Sequence, residues 1–85
     1  MDIYYSPEFI RCFKKLPKEL KLKAIEKEKI FRKNYLDPRL KTHKLSGKLC
    51  GYLSFSIDFK NRIIFSFVNE KLVYFHSVGS HDVYK

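Results

Sequence analysis

The stretch LCGYLSFSIDFKNRIIFSFV, residues 49–68, decides how this chain folds. Leu49, Leu53, Phe55, Ile57 and Phe59 alternate there with Cys50, Tyr52, Ser54, Ser56 and Asp58. A period of two is the signature of a half-buried antiparallel strand. A second strand opens at Arg62 and runs to Val68. Register follows from parity, because a slip of one residue would turn the whole apolar set toward water. Pairing Asp58 with Arg62 sets Phe55 and Ile57 beside Phe65 and Ile63 on one face. It leaves Ser54, Ser56, Ile64 and Arg62 on the other. A two-residue loop would mix the faces and is rejected.

On the C-terminal side, Leu72 to Val78 reads as a third strand. Its Val73 and Phe75 join the apolar face, while Tyr74 and His76 join Arg62 on the open one. Gly79 then turns the chain into its ending, SHDVYK. On the N-terminal side, the spacing predicts a helix over Lys18 to Asn34, stopped by Asp37-Pro38. Leu20, Ala24, Phe31 and Tyr35 share one side of that helix, and Leu22, Ile25 and Leu36 form a second narrow stripe. Two stripes suit a helix packed on both a neighbour and a sheet. Before it, Ser6-Pro7-Glu8 opens a shorter helix that buries Phe9, Phe13 and Leu16 and ends at Pro17. DIYY, residues 2–5, reads as a first strand. The order strand, helix, helix, three strands makes residues 1–85 one α+β domain. Its helical hairpin covers one face of a small, mainly antiparallel sheet. The other face is bordered by the loop Pro38 to Lys48.

The chain carries 18 Lys and Arg against 9 Asp and Glu, a formal charge of +9. Fourteen of the 18 lie between Arg11 and Lys48. Such a density favours nucleic acid or an acidic protein as partner. With 45% hydrophobic residues the composition is that of a folded domain rather than a disordered tail. No apolar run approaches the ~18 residues of a membrane span, so a cytoplasmic chain with no membrane partner is expected. Cys12 and Cys50 show no disulfide pattern. The possible ligands Cys12, His43, Cys50, His76 and His81 have no paired metal spacing, so no metal site is expected. No phosphate-binding or dinucleotide glycine pattern occurs, and no small-molecule cofactor is expected.

Three groups of residues carry possible chemistry. In KTHKLSGK, residues 41–48, Lys41, Lys44 and Lys48 surround His43. The lysines suit phosphates, and an imidazole can exchange a proton. Arg62 offers a planar fork, either to Asp58 across the turn or to a phosphate on which charge builds. His81 and Tyr84 follow Gly79: histidine serves as a general acid or base, and tyrosine donates a hydrogen bond or stacks on a base. His76, inside a strand, reads as a satisfied histidine on a half-covered face. The aromatic residues alternate as core and present no evident stacking platform.

The chain resembles the RelE/ParE superfamily of bacterial toxins, in particular its YoeB- and YafQ-like mRNA interferases. The resemblance spans nearly the whole chain. It is strongest over HKLSGKLCGYLSFSIDFKNRIIF, residues 43–65, and VGSHDVY, residues 78–84. It implies a RelE-like fold and a toxin of a type II toxin–antitoxin pair. That toxin would be an endoribonuclease cutting mRNA in the ribosomal A site without metal, restrained by a cognate antitoxin. The 2′-hydroxyl attacks the adjacent phosphate, which calls for a base, a cation and an acid. By the resemblance, Arg62 stabilises the phosphate, His81 transfers a proton, His43 is the loop histidine and Tyr84 closes the site. Lys41, Lys44 and Lys48 then contact RNA. The chain departs from the family at Ser56, where YafQ-like members carry a histidine, and at Lys60-Asn61, where they carry Asp-Trp. YoeB-like members place a glutamate base a few residues before the loop histidine; that stretch here is Asp37-Pro38-Arg39-Leu40-Lys41, with no carboxylate at the position of the base. The alternatives are a ParE-like toxin that acts on gyrase without nuclease residues, and a simple basic RNA-binding module.

Overall fold

The computed structural model describes residues 1–80; His81 and Tyr84 lie outside the described residues. The hairpin that decides the fold pairs β3 (Leu53–Ser56) with β4 (Asn61–Phe67), antiparallel. Phe55 faces Ile63 and Leu53 faces Phe65, so both sets fall on the expected faces. The register is displaced by two residues, because Ser56 rather than Asp58 is the partner of Arg62. Asp58 is spent on the turn. Its Oδ1 accepts the backbone N–H groups of Lys60 at 2.8 Å and Asn61 at 2.7 Å, closing the loop that an Asp at a turn start favours.

β4 pairs antiparallel with β5 (Leu72–Ser80), and β5 pairs parallel with β1 (Asp2–Tyr5). A two-residue edge strand, β2 (His43–Lys44), pairs antiparallel with β3. The sheet order is β1-β5-β4-β3-β2. Four strands therefore follow the helices, one more than expected, because the basic loop contributes an edge. The strand expected from Leu49 starts at Leu53 instead. Gly47–Leu49 forms a 3-10 turn, and Gly47 and Gly51 hold φ of 68° and 98°. These left-handed angles, natural to glycine, break the run.

Between Ile64 and Phe65 the β4–β5 register shifts by a bulge at His76. Phe75 and Val78 are both buried in the core as a result, while His76 and Ser77 border one cleft on the opposite side.

α1 (Pro7–Lys14) and α2 (Lys18–Lys33) cover the apolar face. Ser6 caps α1: its Oγ accepts from the Phe9 N–H at 2.9 Å and donates to the His76 carbonyl at 2.8 Å. One side chain thus starts the helix and ties it to β5. Phe31 of α2 is the centre of the core, its ring 4.7 Å from Phe55, 4.9 Å from Phe65 and 5.5 Å from Phe75. Leu40, from the 3-10 turn Pro38–Leu40, is equally buried. The second stripe of α2 is not buried: Leu22 is 58% exposed, Ile25 47% and Leu36 61%. Ile25 borders the groove between the two helices, with Ile10 and Phe13 opposite. Among the described residues no helix is long and apolar enough to cross a membrane.

Candidate active site on the uncovered face

The uncovered face is built from the alternate residues of the hairpin. Ser54 of β3 has His43 opposite it on β2 and Ile64 opposite it on β4. Two residues further along β3, Ser56 faces Arg62. Because residues i and i+2 of a strand share a face, His43 and Arg62 stand on the same surface. They are two strands apart, about 10 Å across the sheet, and one residue pair apart, about 7 Å along it.

Arg62 donates from Nη1 to Ser56 Oγ at 2.9 Å. This engages one of its five N–H donors and aims the remainder of the fork. Asp58, occupied at the turn, is not its partner; among the described residues the guanidinium is held by a neutral hydroxyl and no carboxylate. Ser56 is thus a positioning residue that sequence reasoning noted only as a departure from the family pattern.

His43 is exposed, and its Nδ1 lies 3.2 Å from the Lys41 carbonyl oxygen. A carbonyl can only accept, so the contact requires Nδ1–H and leaves the lone pair of the neutral ring on Nε2. That is the tautomer a general base needs. Lys41 itself has a left-handed backbone, φ 51°, which is uncommon for a residue with a side chain.

Asp37, the carboxylate nearest in sequence, is unsuited to that role. Arg39 grips it through Nε at 3.0 Å and Nη2 at 2.9 Å, and the Arg39 backbone N–H donates at 2.9 Å. The guanidinium holds the carboxyl down at about 2, where its conjugate base is too weak to take a hydroxyl proton.

The three lysines expected to contact RNA divide. Lys44 pairs with Leu53, which packs against the core, so strand alternation sends Lys44 to the side opposite Arg62. Lys48 is exposed on the 3-10 turn. Lys41 borders a cleft of about 200 Å³ beside Ser56 and Phe59, together with Lys27 and Arg39. Lys27 and Arg39 were missed in the sequence because one belongs to a helix and the other to a separate turn. The cleft lies along the stretch of β3 that β2 is too short to cover.

His76 is a satisfied histidine, as expected. Its Nε2 is 2.7 Å from Ser66 Oγ, and burial pushes its pKa down against the opposing pull of Glu8. The reading that the aromatic residues alternate as core is incomplete: rings of Tyr4, Tyr74, His76 and Tyr52 stack on one another in a row on this face. The row brings together β1, β5 and the segment before β3, and no local spacing reports it. Ser54 is wholly buried, and its hydroxyl has no hydrogen-bond partner among the described residues. No cluster of three or more potential metal ligands occurs among the described residues.

A helical hairpin on one face of a five-stranded, mostly antiparallel sheet is the RelE-like toxin fold. Its solved relatives include YafQ from E. coli strain BL21(DE3), 25% identical with a TM-score of 0.78, the match covering 94% of this chain and 92% of that one. The YoeB dimer from Staphylococcus aureus is 26% identical with a TM-score of 0.77, covering 95% and 97%. YafQ in the E. coli DinJ–YafQ toxin–antitoxin complex is 26% identical with a TM-score of 0.76, covering 94% and 91%. No family model and no curated protein sequence matches the chain. The resemblance to the RelE/ParE superfamily and its YafQ and YoeB members, read from the residues, is borne out by these neighbours.

Proposed function

We propose that this chain is the toxin of a type II toxin–antitoxin pair and acts as a metal-independent endoribonuclease on translated mRNA. The observation that carries the reading is the pairing of two groups on one face: a histidine with Nε2 free to accept, and an arginine aimed by a neutral hydroxyl. His43 Nε2 takes the proton of the ribose 2′-hydroxyl, and the oxygen attacks the adjacent phosphorus. Arg62 stabilises the charge that gathers on the non-bridging oxygens. The P–O5′ bond breaks, leaving a 2′,3′-cyclic phosphate, and the O5′ leaving group takes up a proton.

By family resemblance His81 supplies that proton and Tyr84 flanks the site. His81 follows Ser80, whose register partner is Asn61, next to Arg62. Lys41, with Lys27 and Arg39 around its cleft, attracts the message backbone and the ribosomal RNA. The antitoxin partner is supported by the DinJ–YafQ and Staphylococcus aureus YoeB–YefM complexes among the neighbours. The excess of positive charge suits an acidic partner of that kind.

The test is primer extension on a message in a translating extract. The protein is expected to yield fragments ending in 2′,3′-cyclic phosphate. Intact message under conditions where a YoeB control cuts would overturn the reading.

A further inference from the structure

Four rings cross the uncovered face in sequence. Tyr4 lies 4.6 Å from Tyr74, Tyr74 lies 4.8 Å from His76, and His76 lies 4.5 Å from Tyr52 with the two planes 5° apart. Rings at such separations stack on one another, so of the four only the end rings, Tyr4 and Tyr52, keep a face that the row does not cover, and Tyr4 is 47% exposed. The imidazole is fixed in this row by Ser66, and burial favours its neutral, aromatic form. Beside Tyr52, His76 and Tyr74 opens a cleft of about 330 Å³, walled by Leu49 and Ile64 and rimmed by Glu8 and Ser77. Its size falls within the range of small-ligand sites.

The chemistry of the cleft is specific about what fits. Leu49 and Ile64 give it an apolar patch beside flat rings, with Ser6, Ser77 and Glu8 as polar groups around it, which suits a planar ligand with polar edges. The Glu8 carboxylate at the rim repels a phosphate, yet accepts a hydrogen bond from the amino edge of a base. Phosphates find cations elsewhere on the same face, at Arg62. Ser66, which holds His76, is four residues from Arg62 along β4, about 13 Å at the rise of a strand. That is about four times the 3.4 Å base rise, so a base at the rings belongs to a nucleotide a few positions removed from the one being cut.

We propose that the Tyr4–Tyr74–His76–Tyr52 row and its cleft form a base-stacking subsite for single-stranded RNA. Stacking on aromatic side chains tolerates any base, because every base has a π-face. The row therefore adds affinity and positions the strand, while amino-bearing bases gain from Glu8. The inference rests on the reading of the chain as an RNA-directed protein.

The experiment uses a short single-stranded 2′-O-methyl RNA, fluorescein-labelled and uncleavable for want of a free 2′-hydroxyl. Its binding is measured by anisotropy at two salt concentrations, for wild type and for Tyr52→Leu, Tyr74→Leu and Tyr52→Phe. The leucine variants are expected to bind about tenfold more weakly, with the salt slope unchanged. Tyr52→Phe keeps the ring and should bind as wild type does, which separates loss of stacking from loss of fold. Equal binding by all four proteins, no binding by wild type, or equal loss in the Phe and Leu variants would each overturn the subsite. So would leucine variants that lose only their grip on an antitoxin, since the row would then be a protein interface.

Cutting in a translating extract, measured in parallel, separates the two readings. Wild type that cuts without ring-dependent binding removes the subsite alone. Ring-dependent binding without cutting removes the nuclease and leaves the subsite.

Discussion

The two faces of the sheet are made from the same strands and differ in what their side chains do for one another. On the helix-covered face, Phe31, Phe55, Phe65 and Phe75 meet ring to ring with no accessible surface left. On the other, Ser56 with Arg62 and Ser66 with His76 meet in pairs through single hydrogen bonds; Ser56 is buried, while Arg62, Ser66 and His76 stay partly exposed. One face stores the stability of a domain too small to have much of it. The other uses that rigidity to hold polar groups in fixed directions, which is what a site built on strands offers over one built on loops. The lesson is a division of labour at single-residue spacing: Leu53 and Phe55 of β3 face the core, while Ser56 on the other side holds Arg62.

That division is open to breakage, beginning where the effect is largest. Phe31→Ala removes the ring at the centre of the core and should cost about 3–5 kcal/mol, seen as loss of cooperative unfolding in a denaturant melt. Arg62→Ala and His43→Ala should reduce message cleavage by about 100-fold or more, while their melts stay within about 0.5 kcal/mol of wild type. A large stability loss in either would show that the faces are not separable. Ser56→Ala leaves the guanidinium in place but unaimed. It should reduce cleavage by about tenfold, with Ser56→Thr restoring most of it.

The smallest effect is a pH dependence. Burial lowers the pKa of His76 from its ordinary 6.5, so the unfolded chain takes up a proton more readily than the folded one. The resulting stability is fully present above pH 6.5 and is lost as pH falls through the lower folded value. Thermal melts between pH 7 and pH 5 should show wild type declining more steeply than His76→Phe, by a few degrees at most. Parallel slopes would place His76 in water.

The faces themselves were legible in the sequence, because parity in LSFSIDF and RIIFSF survives a register error. The displacement by two residues was not, because it depends on Asp58 choosing backbone N–H groups over Arg62, a choice between two local partners of similar strength. Leu49 to Tyr52 alternates well enough to read as strand; the positive φ at Gly47 and Gly51 decides otherwise. The second stripe of α2 was legible as apolar, but periodicity does not say whether anything lies against it. His43 and Arg62 were found as chemical types, and the sheet pairing joins them. The aromatic row and the Lys27–Arg39–Lys41 cleft escaped notice because each gathers residues far apart in the chain. Both needed the register of β1 on β5, or the shortness of β2, to become visible.

The central claim is that the uncovered face is the working face. Amide chemical-shift mapping with the uncleavable 2′-O-methyl RNA tests it most directly. The account predicts shifts confined to His43, Ser54, Ser56, Arg62, Ile64 and the Tyr52–Tyr74–His76 row. Shifts gathered instead on the exposed stripes of α1 and α2, with that face silent, would contradict it.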